Sequence, residues 1–192
     1  MNYAPLKERH RAERDAWHAN LSLRVHRALS WLDRAEQLGS QDDADGQFIL
    51  LWIAFNAAYA TEIDEKYRDS EQQTFRGFLD KLTQLDAGKK RFDALAWTEF
   101  PKSIRVLLDN PYVFADFWRF QNGTLPEANW KSSFAAANKA AHVALGRQDT
   151  VTVLSIVLSR IYTLRNQLIH GGATWNGSVN REQLRDCVNL MK

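Results

Sequence analysis

The chain has 192 residues, a formal net charge of +2 and a sequence pI near 8.7, and hydrophobic residues make up 45% of it. This apolar content supports a sizeable core, and together with seven tryptophans it excludes a disordered chain. The small positive charge does not by itself indicate nucleic-acid binding. The single cysteine, Cys187, excludes an internal disulfide and a cysteine zinc site. The length predicts a single domain over residues 1–192.

Neither a signal peptide nor a membrane span is expected. The N-terminal residues are charged and lack the apolar stretch of a secretory signal. The longest apolar run covers residues 48–60, contains Asn56, and is too short to cross a bilayer. We therefore expect a cytoplasmic protein that does not associate with membranes.

The first predicted element is one long amphipathic helix over residues 5–38, with fraying or a bend before Trp17 as the alternative to a straight helix. From Trp17 to Leu38, apolar residues recur every three or four positions. Arginines interleaved with acidic residues cover the outer face, which favours a solvated surface; a track for an RNA backbone is the alternative. We interpret His18 and His26 on this helix as surface histidines rather than metal ligands.

The second predicted helix spans residues 47–64 after a turn over residues 39–46. Its apolar residues go nearly all the way round, so we expect it in the core. Asn56 interrupts this apolar surface and is predicted to be buried and hydrogen-bonded, because burying an unpaired amide costs roughly 1–3 kcal/mol. Asn56 then either ties two helices together or positions a catalytic group or RNA.

The rest of the chain also follows the helical period, and no segment is typical of a strand. Further helices are predicted over residues 70–85, 89–97, 102–109, 112–120, 127–145, 149–170 and 181–191. The short helices within residues 75–125 are expected as insertions between core helices. The predicted fold class is therefore all-α, a helical bundle with inserted short helices.

The helix over residues 149–170 is the stretch around which we expect the chain to be organised. Asp149 is expected to cap its start. Gly171 and Gly172 are expected to end it, because glycine takes the left-handed turn that closes a helix. Its apolar residues recur at helical spacing and predict a broad buried face. They are Val151, Leu154, Leu158, Ile161, Leu164, Leu168 and Ile169.

Arg165, Asn166 and His170 lie in the last turn and a half of this helix. At about 100° per residue, Tyr162, Asn166 and His170 form one row with Arg165 beside it. A fixed charge, an amide donor and an imidazole that exchanges protons near neutral pH suit a phosphate group. The alternative is a helix end satisfied by basic groups without any catalysis.

The segment RNQLIH, from Arg165 to His170, resembles the R-polar-x-x-x-H motif of HEPN domains, many of which are metal-independent ribonucleases. The segment WIAFNAAY, from Trp52 to Tyr59, resembles a helix that many HEPN proteins carry upstream of that motif. The resemblance implies a single HEPN-like helical bundle that needs neither cofactor nor metal. It implies the catalytic residues Arg165, Asn166 and His170, with Asn56, Tyr59 and Tyr162 as supporting residues.

The resemblance also implies an activity and partners. HEPN ribonucleases cleave RNA by attack of the 2′-hydroxyl in a composite site of a symmetric homodimer, often as toxins or antiviral-defence effectors. An antitoxin or regulatory protein is then a further partner. Some HEPN toxins carry a modifiable tyrosine two residues after the histidine, where this chain has Gly172. The alternatives are a non-catalytic HEPN scaffold, a nucleotide- or RNA-binding module, and an all-α scaffold unrelated to HEPN.

Overall fold

The computed structural model describes residues 3–59, 71–178 and 181–192, and these residues form helices and no strand. The all-α prediction is therefore confirmed. The helices are α1 (Tyr3–Glu13), α2 (Ala19–Ser40), α3 (Ala44–Tyr59), α4 (Glu71–Leu85), α5 (Arg91–Ala94), α6 (Pro101–Asp109), α7 (Ala115–Gln121), α8 (Glu127–Gly146), α9 (Thr150–Ile169) and α10 (Arg181–Met191). Within the described ranges, no helix is long and apolar enough to cross a membrane.

The chain divides into two compact units. The first comprises Met1–Arg68 and Ala173–Lys192, and the second comprises Asp69–Gly172. The prediction of a single domain over residues 1–192 stays a prediction. The second predicted helix begins slightly earlier than expected, and its predicted residues 60–64 lie outside the described part of the chain.

In the first unit, α1 folds back along α2 instead of continuing into it, so the prediction of one helix over residues 5–38 is wrong. The backbone N–H of Tyr3 donates to Glu36 Oε1 at 2.8 Å, and His10 Nε2 lies 3.1 Å from the carbonyl oxygen of Ser22. The partner in α2 moves from residue 36 to residue 22 as α1 advances from residue 3 to residue 10, so the two helices are antiparallel. His10 is 2% exposed between the two helices. The turn falls close to the bend considered before Trp17.

Local geometry explains why the helix is interrupted there. Trp17 has an extended backbone, with φ −95° and ψ 154°, after a 3₁₀ turn over Arg14–Ala16. His18 Nδ1 then accepts a hydrogen bond from the backbone N–H of Asn20 at 3.3 Å. This bond satisfies a backbone donor that the first turn of α2 would otherwise leave unpaired.

The acidic turn before α3 caps that helix and joins it to α10. Asp43 Oδ1 accepts a hydrogen bond from the backbone N–H of Gly46 at 2.9 Å, in the first turn of α3. Asp45 is 5% exposed, and its Oδ2 accepts from Arg181 Nη1 at 2.7 Å and from the backbone N–H of Asn176 at 3.2 Å. A largely buried ion pair therefore fixes the start of α10 to the start of α3.

In the second unit, α9 packs against α4, α6 and α8. The segment between α4 and α8 consists of short helices, as predicted from the sequence. Ile104, Leu107 and Leu108 of α6 are at most 1% exposed and belong to the apolar core. This packing holds α9 along most of its length and leaves its C-terminal end at the surface.

Candidate active site at the end of α9

The start of α9 is fixed by hydrogen bonds on two sides. Asp149 Oδ1 accepts from the backbone N–H of Thr152 at 3.0 Å, so the predicted cap is confirmed. This hydrogen bond, more than any other cause, lowers the pKa of Asp149. The hydroxyl of Thr150 donates to Asp93 and accepts from Trp97 Nε1 at 2.9 Å, which joins α9 to the segment around α5.

The end of α9 is closed by the two glycines, as predicted. Gly171 has φ +72°, a left-handed conformation that favours glycine. Its N–H donates to the carbonyl of Leu168 at 3.3 Å, and the N–H of Gly172 donates to the carbonyl of Gln167 at 2.7 Å. This pair of bonds is the Schellman closure of a helix. The helical path of the backbone therefore ends directly after His170.

The buried face of α9 differs in part from the predicted one. Leu154, Ile161 and Leu164 are buried as expected. Val153 and Val157 are also buried, whereas Ile169 is 45% exposed. The middle of α9 is therefore packed in the core, whereas its last turn extends to the surface.

Arg165, Asn166 and Tyr162 are brought together in the last two turns. Arg165 Nη1 donates to Asn166 Oδ1 at 2.9 Å. The guanidinium carbon of Arg165 lies 5.7 Å from the centre of the Tyr162 ring. Both Arg165 and Asn166 are half-buried. With its oxygen bonded to Arg165, the amide of Asn166 presents its NH₂ group as a donor.

His170 stands at the surface, one helical turn beyond Asn166. Its backbone N–H donates to the carbonyl of Asn166 at 3.0 Å, and its side chain is exposed. Among the described residues, the imidazole has no hydrogen-bond partner. Both ring nitrogens are therefore open to a ligand, as proton transfer requires.

Tyr162 and Asn166 also line an open cavity beside α9. Arg160, on the same helix, lines this cavity as well and is 4% exposed. Arg160 is not among the residues predicted from the sequence to be functional. The signal available was a lone arginine in the apolar stretch between Val151 and Leu164.

The predicted supporting residues Asn56 and Tyr59 belong to the first unit, whereas the catalytic candidates belong to the second. Tyr59 is 7% exposed, and its ring centre lies 4.8 Å from that of Phe55. Asn56 is half-buried. Its Oδ1 atom is buried without a hydrogen-bond partner among the described residues. The prediction that Asn56 is hydrogen-bonded is therefore wrong for this oxygen.

His18 and His26 each contact another group of the first unit. His18 caps α2, and Lys7 Nζ lies 3.0 Å from Nδ1 of His26. The positive charge of Lys7 lowers the pKa of His26. In the part of the chain that the structure describes, no cluster of three or more histidine, cysteine or acidic side chains is arranged to hold a metal ion.

No family model matches this chain, and comparisons with curated proteins and with solved structures also yield no match. The HEPN resemblance therefore depends on the RNQLIH and WIAFNAAY segments alone.

Proposed function

We propose that this chain is a metal-independent endoribonuclease of the HEPN type. The observation that carries the proposal is the arrangement of Arg165, Asn166 and His170 at the end of α9. Arg165 is held by Asn166 at 2.9 Å, one turn before an exposed imidazole that has no partner among the described residues. A fixed cation beside a free proton carrier suits cleavage of a phosphodiester.

In the proposed reaction, the 2′-hydroxyl oxygen of RNA attacks the adjacent phosphorus, and the bond from phosphorus to the 5′-oxygen breaks. A His170 imidazole removes the proton of the 2′-hydroxyl, and a second imidazole gives a proton to the leaving 5′-oxygen. Arg165 holds two phosphate oxygens, and the NH₂ group of Asn166 donates to the same phosphate. The products are a 2′,3′-cyclic phosphate and a 5′-hydroxyl.

A second imidazole requires a second copy of this chain, because each chain supplies one such histidine. We therefore propose a symmetric homodimer in which the ends of two α9 helices face each other. Ile169 supports this arrangement, since it is an apolar side chain directly beside His170 and 45% exposed.

The dimer is expected at micromolar concentration in sedimentation experiments. Ile169→Asp would place a charge in the proposed interface and is expected to shift the protein towards monomers. Leu85→Asp is the matched control, because Leu85 is 83% exposed at the end of another helix of the same unit. A wild-type monomer that still cleaves RNA would rule out the shared site.

The proposed setting is that of a toxin or antiviral-defence effector in the cytoplasm, where cleavage of cellular RNA has to be restrained. An antitoxin or regulatory protein is the corresponding partner. Gly172 occupies the position at which some HEPN toxins carry a modifiable tyrosine, so restraint by modification of that tyrosine is not part of the proposal.

Incubation of the purified protein with RNA in excess chelator tests the proposal. We expect cleavage by the wild type, because no step of the reaction uses a metal ion. RNA that is bound but remains intact would instead support the alternative, a non-catalytic HEPN scaffold or a nucleotide- or RNA-binding module. RNA that is neither bound nor cleaved would contradict both interpretations.

A further inference from the structure

The second unit contains an open cavity of about 580 Å³ between α9, α8 and the segment that leads into α7. Phe114 and Trp118 supply aromatic walls, and Ser155, Thr163 and Asn166 supply polar groups from α9. Cavities of roughly 300–1,000 Å³ with mostly apolar walls and a few polar groups are typical of sites for small molecules.

Arg160 is the buried charge of this cavity. It is 4% exposed, and its guanidinium carbon lies 4.5 Å from the ring centre of Phe114 and 5.5 Å from that of Phe134. Burial lowers the pKa of Arg160 to about 10, while the negative charge of Asp109 opposes this shift more weakly, so the side chain is still charged at neutral pH. The guanidinium lies over both rings, and its N–H groups point outward in the plane of the guanidinium.

Those N–H groups are not satisfied by the protein. Nε and Nη2 of Arg160 are buried without a hydrogen-bond partner among the described residues. The hydroxyl oxygen of Ser155, which lines the same cavity, is also buried and unpartnered there. Leaving a buried donor unpaired is costly, and more so when it is charged. A fully buried charge without a counter-ion is correspondingly rare.

The nearby carboxylates already have other partners. Asp116 lines the cavity, but it accepts from Arg119 Nη1 at 3.2 Å and from the hydroxyl of Ser133 at 2.8 Å. Asp109 accepts from Asn138 and lies 3.2 Å from His142 Nε2. Within the described ranges, no carboxylate forms an ion pair with the guanidinium of Arg160. The cavity therefore carries a positive charge without a bonded anion.

We infer that this cavity binds a small organic anion, whose carboxylate or phosphate group pairs with Arg160 while its apolar body lies against Phe114 and Trp118. Nε and Nη2 lie on one edge of the guanidinium, the edge that holds an oxyanion by two parallel hydrogen bonds. Because both atoms are buried, binding requires the guanidinium to turn this edge towards the cavity. The inference goes beyond the proposed ribonuclease activity and does not depend on it.

Binding of two probes to the RNA-free protein tests the inference. Phenyl phosphate and benzoate share an aromatic body and differ in the anionic group; benzyl alcohol is the neutral control. Calorimetry and thermal denaturation are expected to show binding of phenyl phosphate, benzoate or both, and no binding of benzyl alcohol. Binding of one anion alone identifies the head group that the site prefers.

Arg160→Met is expected to weaken this binding by about 10- to 100-fold, because it removes a charged two-point contact. The variant should fold, since an apolar side chain replaces an unpaired charge in apolar surroundings. Arg160→Lys is expected to retain part of the affinity. Arg105→Met, at an exposed arginine outside the cavity, is the matched control and should bind as the wild type does.

Ser155→Leu provides a second variant that leaves Arg160 in place and extends a larger apolar side chain into the cavity, so it is also expected to weaken binding. Failure of the wild type to bind either anion would overturn the inference. Equal affinity in wild type and Arg160→Met would do so as well, as would an equal loss in Arg105→Met. None of these outcomes affects the test for RNA cleavage, because no RNA is present.

Discussion

Substitution of His170 by alanine is expected to slow RNA cleavage by about 10²–10⁴-fold, the usual contribution of a general acid or base. The imidazole is exposed and has no hydrogen-bond partner among the described residues, so its removal should leave the fold intact. Affinity for RNA should change little, because proton transfer matters only in the transition state. Single-turnover cleavage rates and equilibrium RNA binding, measured on the same preparation, separate the two effects.

The matched control is His142→Ala, since His142 is also an exposed histidine of the second unit. It should cleave at the wild-type rate. Full activity in His170→Ala would show that this histidine takes no part in the reaction.

Arg165→Ala should differ from both histidine variants. The charge of Arg165 acts on the phosphate before and during the reaction, so its removal should lower both the affinity for RNA and the cleavage rate. Arg165→Lys should restore only part of the activity, because an ammonium group cannot make the planar two-point contact.

Substitution of Asp45 by alanine is expected to lower the free energy of unfolding by about 3 kcal/mol, near the lower end of the loss when one partner of a buried ion pair is removed. Asp45 is 5% exposed, and its ion pair with Arg181 measures 2.7 Å. Alanine would leave the Arg181 guanidinium largely buried, with its remaining bonds going to the carbonyl of Gly177. It would also leave the backbone N–H of Asn176 without its acceptor.

Urea denaturation measures this loss. Glu13→Ala is the control, because it breaks an exposed ion pair with Arg9 and should leave the unfolding midpoint unchanged. Equal midpoints for Asp45→Ala and the wild type would show that α10 is held to α3 mainly by its apolar side chains.

Local signals in the sequence were enough to predict the ends of several helices in the second half of the chain. They did not predict the start of α7: a 3₁₀ turn over Pro111–Val113 and an extended Phe114 precede it, so the single helix predicted over residues 112–120 is wrong there. Helix α10 begins and ends at residues 181 and 191, as predicted. The Asp149 cap and the glycine closure after His170 were also predicted correctly. Each depends on a side chain or a backbone conformation within a few residues of the helix end.

Features that depend on distant contacts were not predictable in the same way. The sequence left open whether the first helix is straight or bends before Trp17, and the packing of α1 on α2 shows that the chain reverses there. Arg160 is a similar case, because its burial results from Phe114 and Phe134, which are remote in sequence. Asn56 was expected to find partners in the core, yet its oxygen has none among the described residues.

The central claim is that the group at the end of α9 cleaves RNA through the substrate's own 2′-hydroxyl. The most direct test uses an RNA oligonucleotide with one mapped cleavage position and a matched oligonucleotide with 2′-deoxyribose at that position, both in excess chelator. We expect the first to give a 2′,3′-cyclic phosphate or its 3′-phosphate hydrolysis product, and the second to bind but remain intact. Efficient cleavage of the deoxyribose-substituted strand at that position would contradict the account.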